Sequence, residues 1–288
     1  MPPEFYLPSP LEQFDDDRLT RRGVRVLLKR DDLIHPDFPG NKWRKLAPNL
    51  AAAREQGHKT LLTFGGAFSN HLRAVAAAGH YFGFQTVGVV RGEEQLPLNE
   101  VLAAASEFGM RLTYVDRATY RDKTSADTLD RFRSEFGDCY VLPEGGSNAL
   151  AVQGCTDIPR EISEPFDVVC CAVGTGGTLA GISGGLIDGQ RALGFAVLKG
   201  GDFLNDDVAA LQQAAFGMVH ANWSVEMGFH CGGYAKCTPA LNAFIADFDQ
   251  WHGVRLNWIY EAKMLLGLFS LIEAGHFPAG TTIVAVLA

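Results

Sequence analysis

The sequence predicts an α/β protein: mostly parallel sheets covered by helices, divided between two domains. Three observations carry that expectation. Short apolar runs alternate with longer amphipathic ones along most of the 288 residues, as expected where parallel strands are joined by crossover helices. The length suits one large or two medium domains. The glycine-rich stretch from Pro143 to Asn148 separates two strand–helix series and is a candidate hinge.

In chain order, Val24–Lys29 reads as a strand and Asn41–Gln56 as a helix. Thr60–Phe64 is a strand followed by a helix over Ser69–Tyr81, and Gln85–Val90 is a strand followed by a helix over Leu98–Phe108. Arg111–Val115 is a strand, Tyr120–Phe136 a helix and Cys139–Leu142 a strand. The pattern resumes with strand Val168–Val173, a glycine-rich turn and a helix, and ends with helix Glu261–Glu273 and strand Thr282–Leu287. The series from 45 to 150 has strands enough for a small sheet of its own. Residues 1–44 are then expected to pack with 151–288 as the larger domain. No repeat or low-complexity tract interrupts this reading.

Composition narrows the function classes. The net charge of −8 disfavours nucleic acid or an anionic membrane as the main partner. Met1 to Gln13 contains no basic segment leading into an apolar run, and no stretch has the length of a membrane span, so a cytoplasmic protein is expected. Of the six cysteines, Cys170 and Cys171 sit in an apolar strand and read as buried thiols. Cys231 and Cys237 have no matching pair at zinc-finger spacing, so no metal is expected.

Four segments have the residue types of a site. In Gly40-Asn41-Lys42-Trp43-Arg44-Lys45, a lysine opens a helix after a Pro39-Gly40 turn. A cation is electrostatically misplaced at a helix N-terminus unless an anion or covalent partner joins it. An imine-forming amine with a second cation three residues on suits a phosphorylated aldehyde such as pyridoxal phosphate; a solvated basic face is the other reading. In Gly65-Gly66-Ala67-Phe68-Ser69-Asn70-His71, Ser69 is placed to cap a helix, and amides at the helix start suit a carboxylate. In Gly174-Thr175-Gly176-Gly177-Thr178, amides and hydroxyls after a buried strand suit a phosphate. A dinucleotide fingerprint fails there because its third glycine position is Leu179, and no Lys-Ser or Lys-Thr pair makes it a P-loop. In Tyr260-Glu261-Ala262-Lys263, the two charges read by themselves as surface residues.

Together, in this order and at these separations, the four segments resemble the 1-aminocyclopropane-1-carboxylate (ACC) deaminase/D-cysteine desulfhydrase family, in the tryptophan-synthase-β-like group of pyridoxal phosphate enzymes. The resemblance runs from about residue 5 to the C-terminus. It implies a two-domain fold of that type, a homodimer, and release of ammonia and a 2-oxo acid from a small amino acid. It implies Lys42 as the covalent attachment point of pyridoxal phosphate. Lys45 and Gly174, Thr175, Gly176, Gly177 and Thr178 would hold its phosphate, Asn70 its 3-hydroxyl and Glu261 its ring nitrogen. Ser69, Asn70 and His71 would bind substrate, with Tyr234 and Tyr260 as active-site tyrosines.

The chain also departs from the pattern. Tyr260-Glu261 is ACC-deaminase-like, whereas Ser69-Asn70-His71 is desulfhydrase-like. Phe68 replaces a glutamine common in the family and is expected to remove a polar group from the pocket wall. The chain ends at Ala288, where relatives continue into a glycine loop, so either a shortened chain or a more open pocket is expected. The competing expectations are a catalytically silent binder of pyridoxal phosphate or another small ligand and, more distantly, a nicotinamide-dependent oxidoreductase.

Overall fold

The computed structural model describes residues 3–38 and 40–288; Pro39, half of the expected Pro39-Gly40 turn, and Met1 and Pro2 lie outside the described residues. Among the described residues ten strands form two sheets. They are β1 (Leu11–Gln13), β2 (Arg25–Arg30), β3 (Thr60–Gly65), β4 (Gln85–Arg91), β5 (Arg111–Val115), β6 (Tyr140–Leu142), β7 (Val168–Val173), β8 (Arg191–Ala196), β9 (Trp223–Glu226) and β10 (Thr282–Leu287). One sheet has the order β1-β2-β10-β7-β8-β9 and the other β5-β4-β3-β6. Every pairing is parallel except β1 with β2. The N-terminal strand β2 runs beside the C-terminal β10, with Val26 opposite Ile283 and Leu28 opposite Ala285.

The central strands are apolar on both faces because helices cover both. In β2, Val26 and Leu28 enter one core cluster and Leu27 the other. Burial of this kind, at about 25 cal/mol per Å² of apolar surface, is the main force holding the layers together. Five helices place the site: α1 (Lys42–Glu55), α2 (Asn70–Phe82), α3 (Ala149–Cys155), α4 (Gly177–Gly185) and α5 (Glu261–Glu273).

Two expected helices begin or break elsewhere, for local polar reasons. The one expected over Leu98–Phe108 starts at Glu100, because Asn99 accepts from the N–H groups of Val101 and Leu102 (3.0 Å each). The one expected over Tyr120–Phe136 is two helices, Arg117–Arg121 and Ala126–Phe136. Between them Ser125 Oγ donates to Asp122 Oδ2 (2.8 Å) and accepts from Thr128 N–H (3.3 Å), so side chains take bonds that the backbone would otherwise make. Strands β8 and β9 were not expected at all. Among the described residues no helix is long and apolar enough to cross a membrane, and no group of three or more His, Cys, Asp or Glu could hold a metal ion.

Candidate active site

One cleft gathers residues from both sheets. It is lined by Asn41, Lys42 and Lys45 from the start of α1, by Ser69, Asn70 and His71 from the β3–α2 junction, by Gly174 to Thr178 from the β7–α4 turn, and by Tyr260. These segments all follow strands or open helices, as expected for ligands at the carboxyl ends of an open parallel sheet. Tyr234 and Glu261 do not line the cleft but adjoin it. The hydroxyls of Tyr234 and Tyr260 lie 3.2 Å apart. Glu261 Oε1 accepts from the N–H of Ala288, a cleft residue, at 3.1 Å.

The lysines are held by neutral groups. Lys42 Nζ donates to Asn41 Oδ1 (2.9 Å), and Asn41 Nδ2 donates in turn to Thr178 Oγ1 (2.8 Å). Asn41 therefore ties the start of α1 to the start of α4. Lys45 Nζ donates to Gly145 O and Ser147 Oγ (3.2 Å each). Burial disfavours the Lys42 cation, and the neighbouring Lys45 charge adds to this against a smaller opposing effect of Glu261, so its pKa falls to about 7. Burial lowers the Lys45 pKa as well.

The glycine turn is shaped for close approach. A Cβ on Gly177 would lie 2.5 Å from Ser147 Oγ and 3.3 Å from Lys45 Nζ, so only glycine lets those groups reach the first turn of α4. Ser147 Oγ also meets Thr175 Oγ1 at 2.7 Å. The first N–H groups of α4 have no intrahelical acceptor. Amides, two hydroxyls and a lysine thus surround one point, a donor set for a phosphate.

Ser69 sits at the N-cap position of α2 but makes no capping hydrogen bond, so the capping reading of this residue is not what the structure shows. His71 is buried, with Nε2 2.9 Å from Thr63 Oγ1 and Nδ1 without a hydrogen-bond partner among the described residues. Burial, reinforced by Lys42 and Lys45, pulls its pKa well below the usual range. Its ring is neutral, able to hydrogen-bond but not to ion-pair. Phe68 is 50% exposed and is not among the residues lining the cleft. The loss of a polar group there does not alter the cleft wall as expected, because the side chain stands at the surface.

The surface reading of Glu261 and Lys263 is corrected. Both are buried, Lys263 completely, because the first turn of α5 packs beneath the sheet ends. Burial raises the Glu261 pKa to about 7, against the pull of nearby N–H groups and Lys42, and its Oε2 has no hydrogen-bond partner among the described residues. Burial, then proximity to Tyr234, raises the Tyr260 pKa well above 10. Two contributors were not anticipated, Asn41 and Ser147. Asn41 had a signal, since it lies inside the Gly-Asn-Lys segment; Ser147 had only its place in the hinge.

Comparisons with known proteins agree with this geometry. Residues 4–201 match the family described as pyridoxal-phosphate dependent enzyme. A Thermotoga maritima protein that carries the provisional name 1-aminocyclopropane-1-carboxylate deaminase is 37% identical, over 92% of this chain and 89% of that one. The mitochondrial bifunctional D-cysteine desulfhydrase/1-aminocyclopropane-1-carboxylate deaminase of Arabidopsis thaliana is 30% identical, over 93% of this chain and 72% of that one. A solved structure described as an ACC deaminase homologue superposes with a TM-score of 0.88 at 25% identity, covering 99% of this chain and 90% of that one. The expected fold is borne out, and the chain belongs to the family of pyridoxal-phosphate-dependent enzymes.

Proposed function

We propose that the protein is a pyridoxal-phosphate-dependent deaminase of a small amino acid, ACC or D-cysteine in type, releasing ammonia and a 2-oxo acid. The observation that carries this is the Lys42 amine, held by a neutral amide in the same cleft as Ser69, Asn70 and Tyr260. The names of the relatives support the substrate class. The residues fit the cofactor. Lys45, with only a carbonyl and a hydroxyl as partners among the described residues, and the Gly174–Thr178 turn suit its phosphate. The buried, unpartnered Glu261 Oε2 suits a protonated ring nitrogen. When bound, pyridoxal phosphate supplies an electron sink conjugated to the substrate amine.

The chain's own residues supply the rest. Lys42 is the attachment point and, with a pKa of about 7, is a base when freed. Ser69 and Asn70 bind the substrate carboxylate and the cofactor hydroxyl. Tyr260 keeps its proton and faces the cleft as a hydrogen-bond donor, with Tyr234 beside its hydroxyl. The catalytically silent alternative gains no support from a cleft in which Lys42, Ser69, Asn70 and Tyr260 stand together. We extend the reading to a two-domain enzyme, 45–150 against 1–44 with 151–288, supported by a four-stranded sheet that lies wholly within the middle span. The resemblance supports a homodimer, and four buried free cysteines support a reducing cytoplasmic setting. A panel of D- and L-amino acids with ACC, scored for 2-oxo acid, tests the activity. Release from none of them would refute it.

Two expectations follow here. Uptake of pyridoxal phosphate by cofactor-free protein needs the neutral Lys42 amine, so its rate should rise with pH to about 7 and then level off. A stopped-flow rate still climbing beyond pH 9, as for an ordinary lysine, would contradict this. Glu261→Gln should keep the cofactor but slow turnover on the order of a hundredfold, the scale of losing one electrostatic stabiliser. It should also change stability. The Glu261 pKa is raised in the fold from 4.5 to about 7, so the folded state holds the extra proton and the group's contribution is lost as pH rises through that interval. Cofactor-free Glu261→Gln should therefore melt higher than the parent at pH 8, a difference read by calorimetry.

A further inference from the structure

The loop that brings Tyr234 to the cleft has an unusual backbone. Cys231 and Ala235, at φ 52° and 50°, are the non-glycine residues with positive φ among those described, and they bracket Tyr234. Gly233 lies between them at φ 124°. Such conformations persist at side-chain-bearing residues only where the surroundings enforce them. The turns inside the loop restrain it in part. Gly232 N–H donates to His230 Nδ1 (3.0 Å), Gly233 N–H to His230 O (3.0 Å) and Lys236 N–H to Gly233 O (3.1 Å). All three bonds stay within the loop, so none anchors it to the rest of the fold.

At its ends the loop is held by Cys231, packed against the core, and by Cys237 Sγ, which donates to Asn242 Oδ1 (2.9 Å); at its centre Lys263 makes the anchor. Its side chain is fully buried in the first turn of α5. Its Nζ donates to Gly233 O at 2.7 Å and to Val197 O at 3.3 Å. Val197 follows β8, and its own N–H donates to Val173 O at the end of β7 (3.1 Å). One ammonium thus joins the Tyr234 loop, the carboxyl ends of two central strands and the helical turn that presents Tyr260. A position at the core side of a helix takes a methionine or leucine more readily than a cation, which must be removed from water. Filling space does not account for a lysine there; its two carbonyl partners do.

We propose that Lys263 is a positioning residue whose buried ammonium clamps the strained 230–237 loop onto the first turn of α5 and so sets the Tyr234 hydroxyl against that of Tyr260. The inference rests on the proposed role of the two tyrosines in deamination, but the clamp itself is measurable without substrate. The test uses the pyridoxal-phosphate-loaded enzyme with Lys263→Met, Lys263→Gln, Tyr234→Phe and the Lys263→Met/Tyr234→Phe double variant. Hydrogen exchange of residues 228–237, the visible cofactor band, kcat and KM are followed.

In Lys263→Met the cofactor band should remain, and exchange across the loop should quicken roughly tenfold or more while α5 and β8 stay protected. Its kcat should fall to the level of Tyr234→Phe, and the double variant should be no slower than either, because both changes remove one interaction. Lys263→Gln, which keeps donors but shortens the reach, should fall between. Unchanged loop exchange with full turnover would overturn the proposal, as would additive losses in the double variant. Failure of both Lys263 variants to fold with cofactor would also overturn it, the residue then belonging to the core alone. If the parent releases no 2-oxo acid from any amino acid, the functional reading fails while exchange still decides the clamp: faster loop exchange upholds it and unchanged exchange rejects it.

Discussion

Lys42→Ala should leave a folded protein that binds no pyridoxal phosphate covalently and turns over at least roughly a thousandfold more slowly, the scale at which removal of a nucleophile or general base acts. The reasoning starts from position. Lys42 opens α1, where the helix N-terminus disfavours a cation. Among the described residues its one hydrogen-bond partner is the neutral amide of Asn41, and burial brings its pKa to about 7. A structural lysine gains nothing from such a place, whereas an amine that must attack a carbonyl gains a large neutral fraction at physiological pH. Lys45 cannot substitute, because its Nζ is engaged three residues on with Gly145 O and Ser147 Oγ. Absorption spectra and 2-oxo acid release check the result. A variant that keeps both the visible band and turnover would show that another amine carries the cofactor.

Arg44→Met should cost about 3–5 kcal/mol of stability, the penalty for breaking a buried ion pair from one side. Arg44 lies between two carboxylates. It donates to Asp31 through Nε (2.6 Å) and Nη2 (2.8 Å), and to Glu161 through Nη1 and Nη2 (2.8 Å each). Lys29 Nζ also donates to Glu161 (2.9 Å), and Ser9 Oγ to Asp31 (2.6 Å). Asp31, Arg44 and Lys29 are buried, so two cations offset two carboxylates, and the variant leaves one carboxylate uncompensated. A fall in Tm on the order of ten degrees is expected in calorimetry; a shift of about a degree or less would show that water reaches the cluster. The parent has its own acid sensitivity. Burial would raise the Glu161 pKa, but Arg44 and Lys29 hold it at about 2, below the usual 4.5. That contribution is present above pH 4.5 and lost as pH falls towards 2.

Much of the fold was legible because β3, β7 and β10 are largely apolar runs, buried between the helices that cover the sheets. The cleft was legible where its residues sit in short polar segments after strands, Ser69 to His71 after β3 and Gly174 to Thr178 after β7, or at helix starts, Lys42 and Tyr260. What stayed hidden depends on contacts between distant segments. Ser147 meets Thr175 across 28 positions, and Arg44 meets Glu161 across 117. Neither pairing leaves a local period or spacing. Lys263 misleads for a related reason. A charge beside a helix start reads as solvated, and the packing of α5 against the sheet ends and the Tyr234 loop puts two distant carbonyls against it. Strand β8 had its signal, an apolar run between Asp188-Gly189 and Gly200-Gly201, while β9, at four residues, is too short to show a clear period.

The most direct measurement is borohydride reduction of the purified enzyme followed by proteolysis and mass spectrometry. The reduced cofactor should be found on the peptide that begins the first long helix, with its mass fixed to Lys42. A modified Lys45 or Lys263, or a chain with no adduct after incubation with pyridoxal phosphate, would contradict the assignment.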